Sequence, residues 1–202
     1  MITIEERVQN SDHLDIFKDY FERNLRVGMP GIIQSFNASK QTVTVLLAIR
    51  EKLVDENGVQ SWVEIPVLGE VPVFVYRAGN YALTLPIAAG DECFVIFADM
   101  CIDAWWQSGG VQNQIERRRH DLSDAFAICG FTSQAKKLNG YSTGTAQLRT
   151  IDGGTYIELT SGQINIKGNV IVQGDVIASG KSLVTHKHSG VMSGGGTTGG
   201  PV

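Results

Sequence analysis

Four glycines near the C-terminus, Gly162, Gly168, Gly174 and Gly180, recur every six residues. Between and after them lie short runs rich in Ile and Val. Ile164, Ile166, Val170, Val172, Val176, Ala178 and Val184 all share even parity. Strand side chains alternate between faces, so such residues line one face. A six-residue period marks stacked parallel β structure, where each repeat is one short strand. A single-chain β-helix needs three such strands per coil. Residues 156–188 would supply roughly two coils, fewer than the about three stacked units that repeat folds need. Three chains winding together remove the difficulty, because the aliphatic column becomes a shared axis. Residues about 150–202 are therefore expected to form one third of a trimeric β-prism. The alternative is a β-meander with turn glycines, which has no reason to hold a strict period.

The column ends in Thr185-His186-Lys187-His188. His186 and His188 continue its parity, so both are expected to point along the inner face at its tip. One His-x-His pair is a weak signal, since two alternate histidines are often only a polar strand face. In a trimer, two imidazoles per chain become six around one axis. Six nitrogens suit octahedral coordination by a metal such as iron or nickel, whereas zinc prefers four ligands. The tail that follows holds Gly190, Gly194, Gly195, Gly196, Gly199 and Gly200. Glycine permits tight reversals, so this tail is expected to fold over the ion and close the apex.

The 202 residues hold one or two domains, and a hydrophobic content of 43% suffices for a real core. A net charge of −4 offers little attraction to nucleic acid or acidic lipid. The 23 glycines and abundant Val, Ile and Thr lean toward an all-β fold. No apolar run approaches about 18 residues, the length of a membrane span. The start, Met1-Ile2-Thr3-Ile4-Glu5-Glu6-Arg7, lacks the layout of a signal peptide. Cys93, Cys101 and Cys129 show no C-x-x-C spacing. They read as buried small hydrophobes in a protein made in a reducing cytoplasm.

One helix is expected over residues 11–26, capped by Ser11 or Asp12, with Leu14, Phe17, Phe21 and Leu25 at helical spacing. Its apolar face is expected to pack on the next domain. Residues 31–100 read as five or six short strands, with Asn57-Gly58 a hairpin turn. So many strands in so short a stretch suggest a small closed barrel, the OB-fold being the commonest candidate. Residues 125–131 read as one more strand. The polar, Gly/Ser/Thr-rich stretch 132–150 reads as the domain junction. The expected layout is a helical segment 1–27, a barrel 28–131 and a trimeric β spike 132–202.

Arg117-Arg118-Arg119-His120 is followed at once by Asp121 and Asp124. Its field is mixed, so a solvated or inter-subunit ion-paired loop is expected rather than a nucleic-acid patch. Trp105 and Trp106 are expected in core and subunit-interface packing. No catalytic motif is present: there is no Gly-x-Ser-x-Gly and no phosphate loop, and His120-Asp121 is too common a dipeptide to carry an enzymatic reading.

Val71-Pro72-Val73, the run Leu85-Pro86-Ile87-Ala88-Ala89-Gly90-Asp91-Glu92, Asp103-Ala104-Trp105-Trp106 and Arg119-His120-Asp121-Leu122-Ser123-Asp124-Ala125 occur in this order. Together they resemble the N-terminal domain of the baseplate central spikes of contractile phage tails. Thr185-His186-Lys187-His188-Ser189-Gly190-Val191 resembles the tip of the same family. The resemblance implies an OB-fold domain held by a baseplate hub protein, then an intertwined trimeric β-helix. It implies one iron ion per trimer, bound by His186 and His188 of each chain. It further implies a non-enzymatic spike at the virion tail tip, driven through the host outer membrane on sheath contraction. The rival reading is an OB-fold module on a trimerising stalk, binding oligosaccharide or nucleic acid. Metal analysis separates the two, since the rival needs no iron.

Overall fold

A computed structural model of the chain describes residues 13–18, 20, 21, 25–190, 194 and 195. The fold is all-β with few helices. The chain divides into two compact units between Lys137 and Leu138. No helix among the described residues is long and apolar enough to cross a membrane.

Residues 13–18, 20 and 21 are helical, and the Leu25 amide still donates to the Phe21 carbonyl at 2.9 Å. Ser11 and Asp12 lie outside the described residues. The apolar face does not pack on the next domain as expected: Leu14, Phe17 and Phe21 are exposed.

The first unit contains β1 (Gly28–Asn37), β2 (Thr42–Leu47), β3 (Glu51–Val54), β4 (Gln60–Val63), β5 (Leu68–Pro72), β6 (Tyr76–Ala78), β7 (Tyr81–Leu83), β8 (Glu92–Phe97) and β9 (Ala125–Cys129). Five of them form one antiparallel sheet in the order β5-β2-β1-β8-β9. The sheet curls until its two edges meet. Val73, just past β5, bridges Ala127 of β9 in parallel, and the Phe74 amide donates to the Ala127 carbonyl at 2.8 Å. Closure removes both exposed edges, which would otherwise invite pairing with other chains.

The alternation of β2 and β8 explains the core. Val43, Val45 and Leu47 point inward from β2, and Cys93, Val95 and Phe97 from β8. Ile33, Val71, Ala125 and Ala127 complete the same layer. Gly31 is required where β1 crosses it. A Cβ there would stand 2.5 Å from Val45 Cγ1 and 3.1 Å from Val95 Cγ2. The smaller pairs β3–β4 and β6–β7 are hairpins outside this sheet. The first turns at Asn57-Gly58 as its dipeptide predicts, with Asp55 Oδ1 accepting from the Asn57 and Val59 amides.

Trp105 and Trp106 depart from expectation. They sit on a short helix, Asp103–Ser108, and not in a strand. Both are exposed, at 46% and 41%, so neither is core. Trp105 lies edge-on to Phe126 at 5.9 Å between ring centres.

The second unit contains β10 (Ala146–Arg149), β11 (Tyr156–Thr160), β12 (Gln163–Lys167), β13 (Ile177–Ala178) and β14 (Lys181–Ser182). The first three form an antiparallel meander, the alternative that the period left open. The last two form a separate hairpin. Residues 168–176 carry no strand in the single chain. Gly162, Gly168 and Gly180 adopt positive φ, so three of the periodic glycines serve backbone turns.

The two faces of the meander differ sharply. On one, the Glu158 carboxylate accepts from Thr145, Gln147 and Asn165. These bonds, Asn165 foremost, hold Glu158 below the ordinary glutamate range. On the other, Leu148 pairs with Ile157, Ile157 with Ile166 and Leu159 with Ile164. These five aliphatic residues are 46% to 63% exposed.

Candidate metal-binding apex

The apex begins where β14 ends. Ser182 organises the turn that follows. Its hydroxyl accepts from the Thr185 amide and from Thr185 Oγ1, both at 2.8 Å. Its carbonyl accepts from the His186 amide at 3.2 Å. Asp175 braces the same turn, with Oδ1 accepting from the Val184 amide at 3.1 Å. The hydrogen bond from the Ser182 side chain, then that from the Val184 amide, keeps the Asp175 carboxyl below its ordinary range.

This turn sets the orientation of His186. Its Nδ1 lies 3.0 Å from two backbone carbonyl oxygens, those of Ser182 and Leu183. A carbonyl can only accept, so Nδ1 carries the proton. In the neutral ring this leaves the lone pair on Nε2. Metal-binding histidines use the same device, donating one ring N–H to a carbonyl while the other nitrogen ligates. The structure brings His188 beside His186, with ring centres 5.0 Å apart and planes at 77°. Both residues are exposed.

Two imidazoles per chain fit the donor set of a first-row metal but are too few to enclose one. The shared inner parity expected from the sequence does not extend to these residues in the single chain, because the turn at residues 183–185 interrupts the strand. Residues 191–193 and 196–202, where the glycine tail was expected to close the tip, lie outside the described residues.

Sequence reasoning found the two histidines and missed the residues that aim one of them. Ser182 and Asp175 belong to the last two repeats and look like polar strand positions. Their one signal is that a small hydroxyl residue stands four positions before His186.

A second cluster needs separate treatment. Cys101, Asp103 and Asp124 form the one group of three possible metal ligands among the described residues. A cation already fills it. Arg118 Nη2 lies 3.1 Å from Cys101 Sγ, 2.8 Å from Asp103 and 3.0 Å from Asp124. Arg118 Nε donates to Asp124 at 2.8 Å, and Nη1 to Glu116 at 2.7 Å. Beside it, Arg119 pairs with Asp99 at 2.6 Å. Arg118 and Arg119 are thus ion-paired, but not in the solvated or inter-subunit manner expected. The pairing lies within the chain, and Arg118 is half-buried rather than solvated.

Residues 29–130 match the family described as the phage protein Gp138 N-terminal domain. Residues 182–202 match the GpV apex motif. The first match spans the closed sheet but for Gly28. The second opens at Ser182, the residue that builds the histidine turn. No curated protein matches the chain.

Proposed function

The chain belongs to the phage baseplate spike family represented by the Gp138 N-terminal domain, and on that premise we propose that it is a homotrimeric, metal-tipped device that pierces the host outer membrane when a contractile tail fires. Such spikes belong to the tail of the virion. The present chain would act mechanically rather than as an enzyme. Its first unit would dock on a baseplate hub protein. The strand order β5-β2-β1-β8-β9, with a parallel closure between the end strands, supports an OB-type barrel there.

The observation that carries this reading is the open aliphatic face of Leu148, Ile157, Leu159, Ile164 and Ile166. Soluble chains rarely leave a contiguous apolar face uncovered. The opposite face has its polar groups hydrogen-bonded to one another, so the asymmetry is built in. Val170, Val172, Val176 and Val184 extend the exposed aliphatic set toward the apex. Two further copies would cover it and give strand partners to residues 168–176. That assembly is the intertwined β-helix.

At the apex, three copies would bring six imidazoles to one axis. His186 and His188 would hold one iron ion, which clamps three chains where no further layer of side chains can. Sedimentation and light scattering of the full chain test the assembly, with three chains per particle expected. A monodisperse folded monomer would sink the proposal.

A further inference from the structure

Cys93 and Cys129 are directly opposed across β8 and β9. Both thiols are free, Cys93 fully buried and Cys129 half-buried. The hydrogen-bond phase of the ladder fixes how close they stand. One step beyond the Phe97–Ala125 pair, the Ala98 amide donates to the Asp124 carbonyl at 2.8 Å. That is a hydrogen-bonded pair. Hydrogen-bonded and non-hydrogen-bonded pairs alternate along an antiparallel ladder. Counting inward, Phe97–Ala125, Val95–Ala127 and Cys93–Cys129 are all non-hydrogen-bonded pairs. Two other bonds agree, since the Phe97 amide donates to Val27 and the Ala127 carbonyl accepts from Phe74, both away from this ladder.

At a non-hydrogen-bonded pair the Cα atoms lie about 4.5 Å apart and the side chains approach closely. A disulfide requires a Cα separation of about 4.4–6.8 Å. On the other side of Cys93 the neighbour is Gly31, which has no side chain to crowd the thiol; a Cβ there would come within 3.3 Å of Cys93 Sγ. The third cysteine is occupied elsewhere, with Cys101 Sγ accepting from Arg118.

We propose that Cys93 and Cys129 form an intramolecular oxidation site that closes to a cross-strand disulfide when the folded chain meets a peroxide. The half-buried thiol reacts first. Cys129 sulfur attacks one peroxide oxygen, the O–O bond breaks, and the departing hydroxide takes the Cys129 thiol proton as water, leaving a sulfenic acid. Cys93 sulfur then attacks the sulfenic sulfur. The S–S bond forms, the S–O bond breaks, and the departing hydroxide takes the Cys93 proton as a second water. Two thiols are oxidised and one peroxide is reduced. Burial pushes the Cys93 thiol up to about 11, aided by its neighbour Cys129, and burial raises Cys129 as well. Little thiolate is present near neutrality, so weak oxidants leave the pair reduced. The bond would tie β9 covalently to its neighbour β8, and it does not depend on the trimer.

The test treats the reduced full chain with hydrogen peroxide, quenches it with catalase, then unfolds and alkylates it with iodoacetamide. The reduced chain takes three labels, one for each cysteine. After peroxide, one label is expected, on Cys101, with a loss of about 2 Da before labelling and three labels again after dithiothreitol. The Cys129→Ser variant should lose no mass in this way. Three labels retained, added oxygen on Cys129 without closure, a bond that includes Cys101, or chain-to-chain disulfides would each overturn the proposal.

Discussion

The Asp124 carboxylate, 0% exposed, meets the Arg118 guanidinium in a two-pronged pair, Nε to Oδ2 at 2.8 Å and Nη2 to Oδ1 at 3.0 Å. Asp124 also accepts from the Ile102 amide at 2.9 Å. One buried carboxylate thus ties the residues 101–118 to the start of β9. Removing one partner of a buried pair strands the other charge and costs about 3–5 kcal/mol. Arg118→Met should therefore lower the denaturation midpoint of the full chain markedly. Arg119→Met breaks only an exposed pair with Asp99, for which under about 1 kcal/mol is expected. Equal effects in thermal or urea unfolding would show that Arg118 is no latch.

Gly31 is a crowded position, where a Cβ would stand 2.5 Å from Val45 Cγ1. Gly31→Val should overpack the core against Val45 and Val95 and cost about 1–3 kcal/mol or more. Circular dichroism melting measures it. An unchanged melt would mean that β1 can move away from β2 freely.

Ile166 lies on β12, at one side of the open aliphatic face and opposite Ile157. Ile166→Asp would place three carboxylates together on a dry axis, at a cost of several kcal/mol per charge. Loss of the trimer is expected by light scattering. Gln163→Asp, on the polar side of the same strand, should leave it intact. A stable trimer from Ile166→Asp would mean that this face is not the axis.

Glu158 carries a pH dependence of known sign. Its folded pKa lies below the ordinary value of 4.5, with the Asn165 bond the largest cause. Its stabilisation is therefore complete above that value and fades as pH falls through the lower folded one. Glu158→Gln should melt earlier at neutral pH and show a flatter acid limb. Parallel acid limbs in the two proteins would remove Glu158 from the account.

Much of this was legible in the sequence because it is local. The strand alternation of residues 92–97, the Asn57-Gly58 hairpin and the glycine period each depend on neighbours a few positions away. The tryptophan pair was misread as core because nothing in the dipeptide shows that Asp103–Ser108 forms a short helix with both rings exposed. The Arg118–Asp124 latch was hidden because its worth comes from burial, and nothing in the run Arg117-Arg118-Arg119 shows which arginine turns inward. The histidine turn was half legible. His186 and His188 announce themselves by type, whereas Ser182 and Asp175 act through backbone geometry. Of the aliphatic column, Ile164 and Ile166 lie on one strand face, whereas Val170, Val172 and Val176 fall in a stretch without strand, where alternation alone sets no face.

The most direct test of the account is the metal content of the purified particle, measured together with its mass, for the native chain and for a His186→Ala, His188→Ala double variant. The account predicts one iron per three chains in the native protein. It predicts a trimer without iron in the variant, because the aliphatic face of β10–β12 is untouched. Iron retained by the variant, or a native trimer with no transition metal, would contradict it.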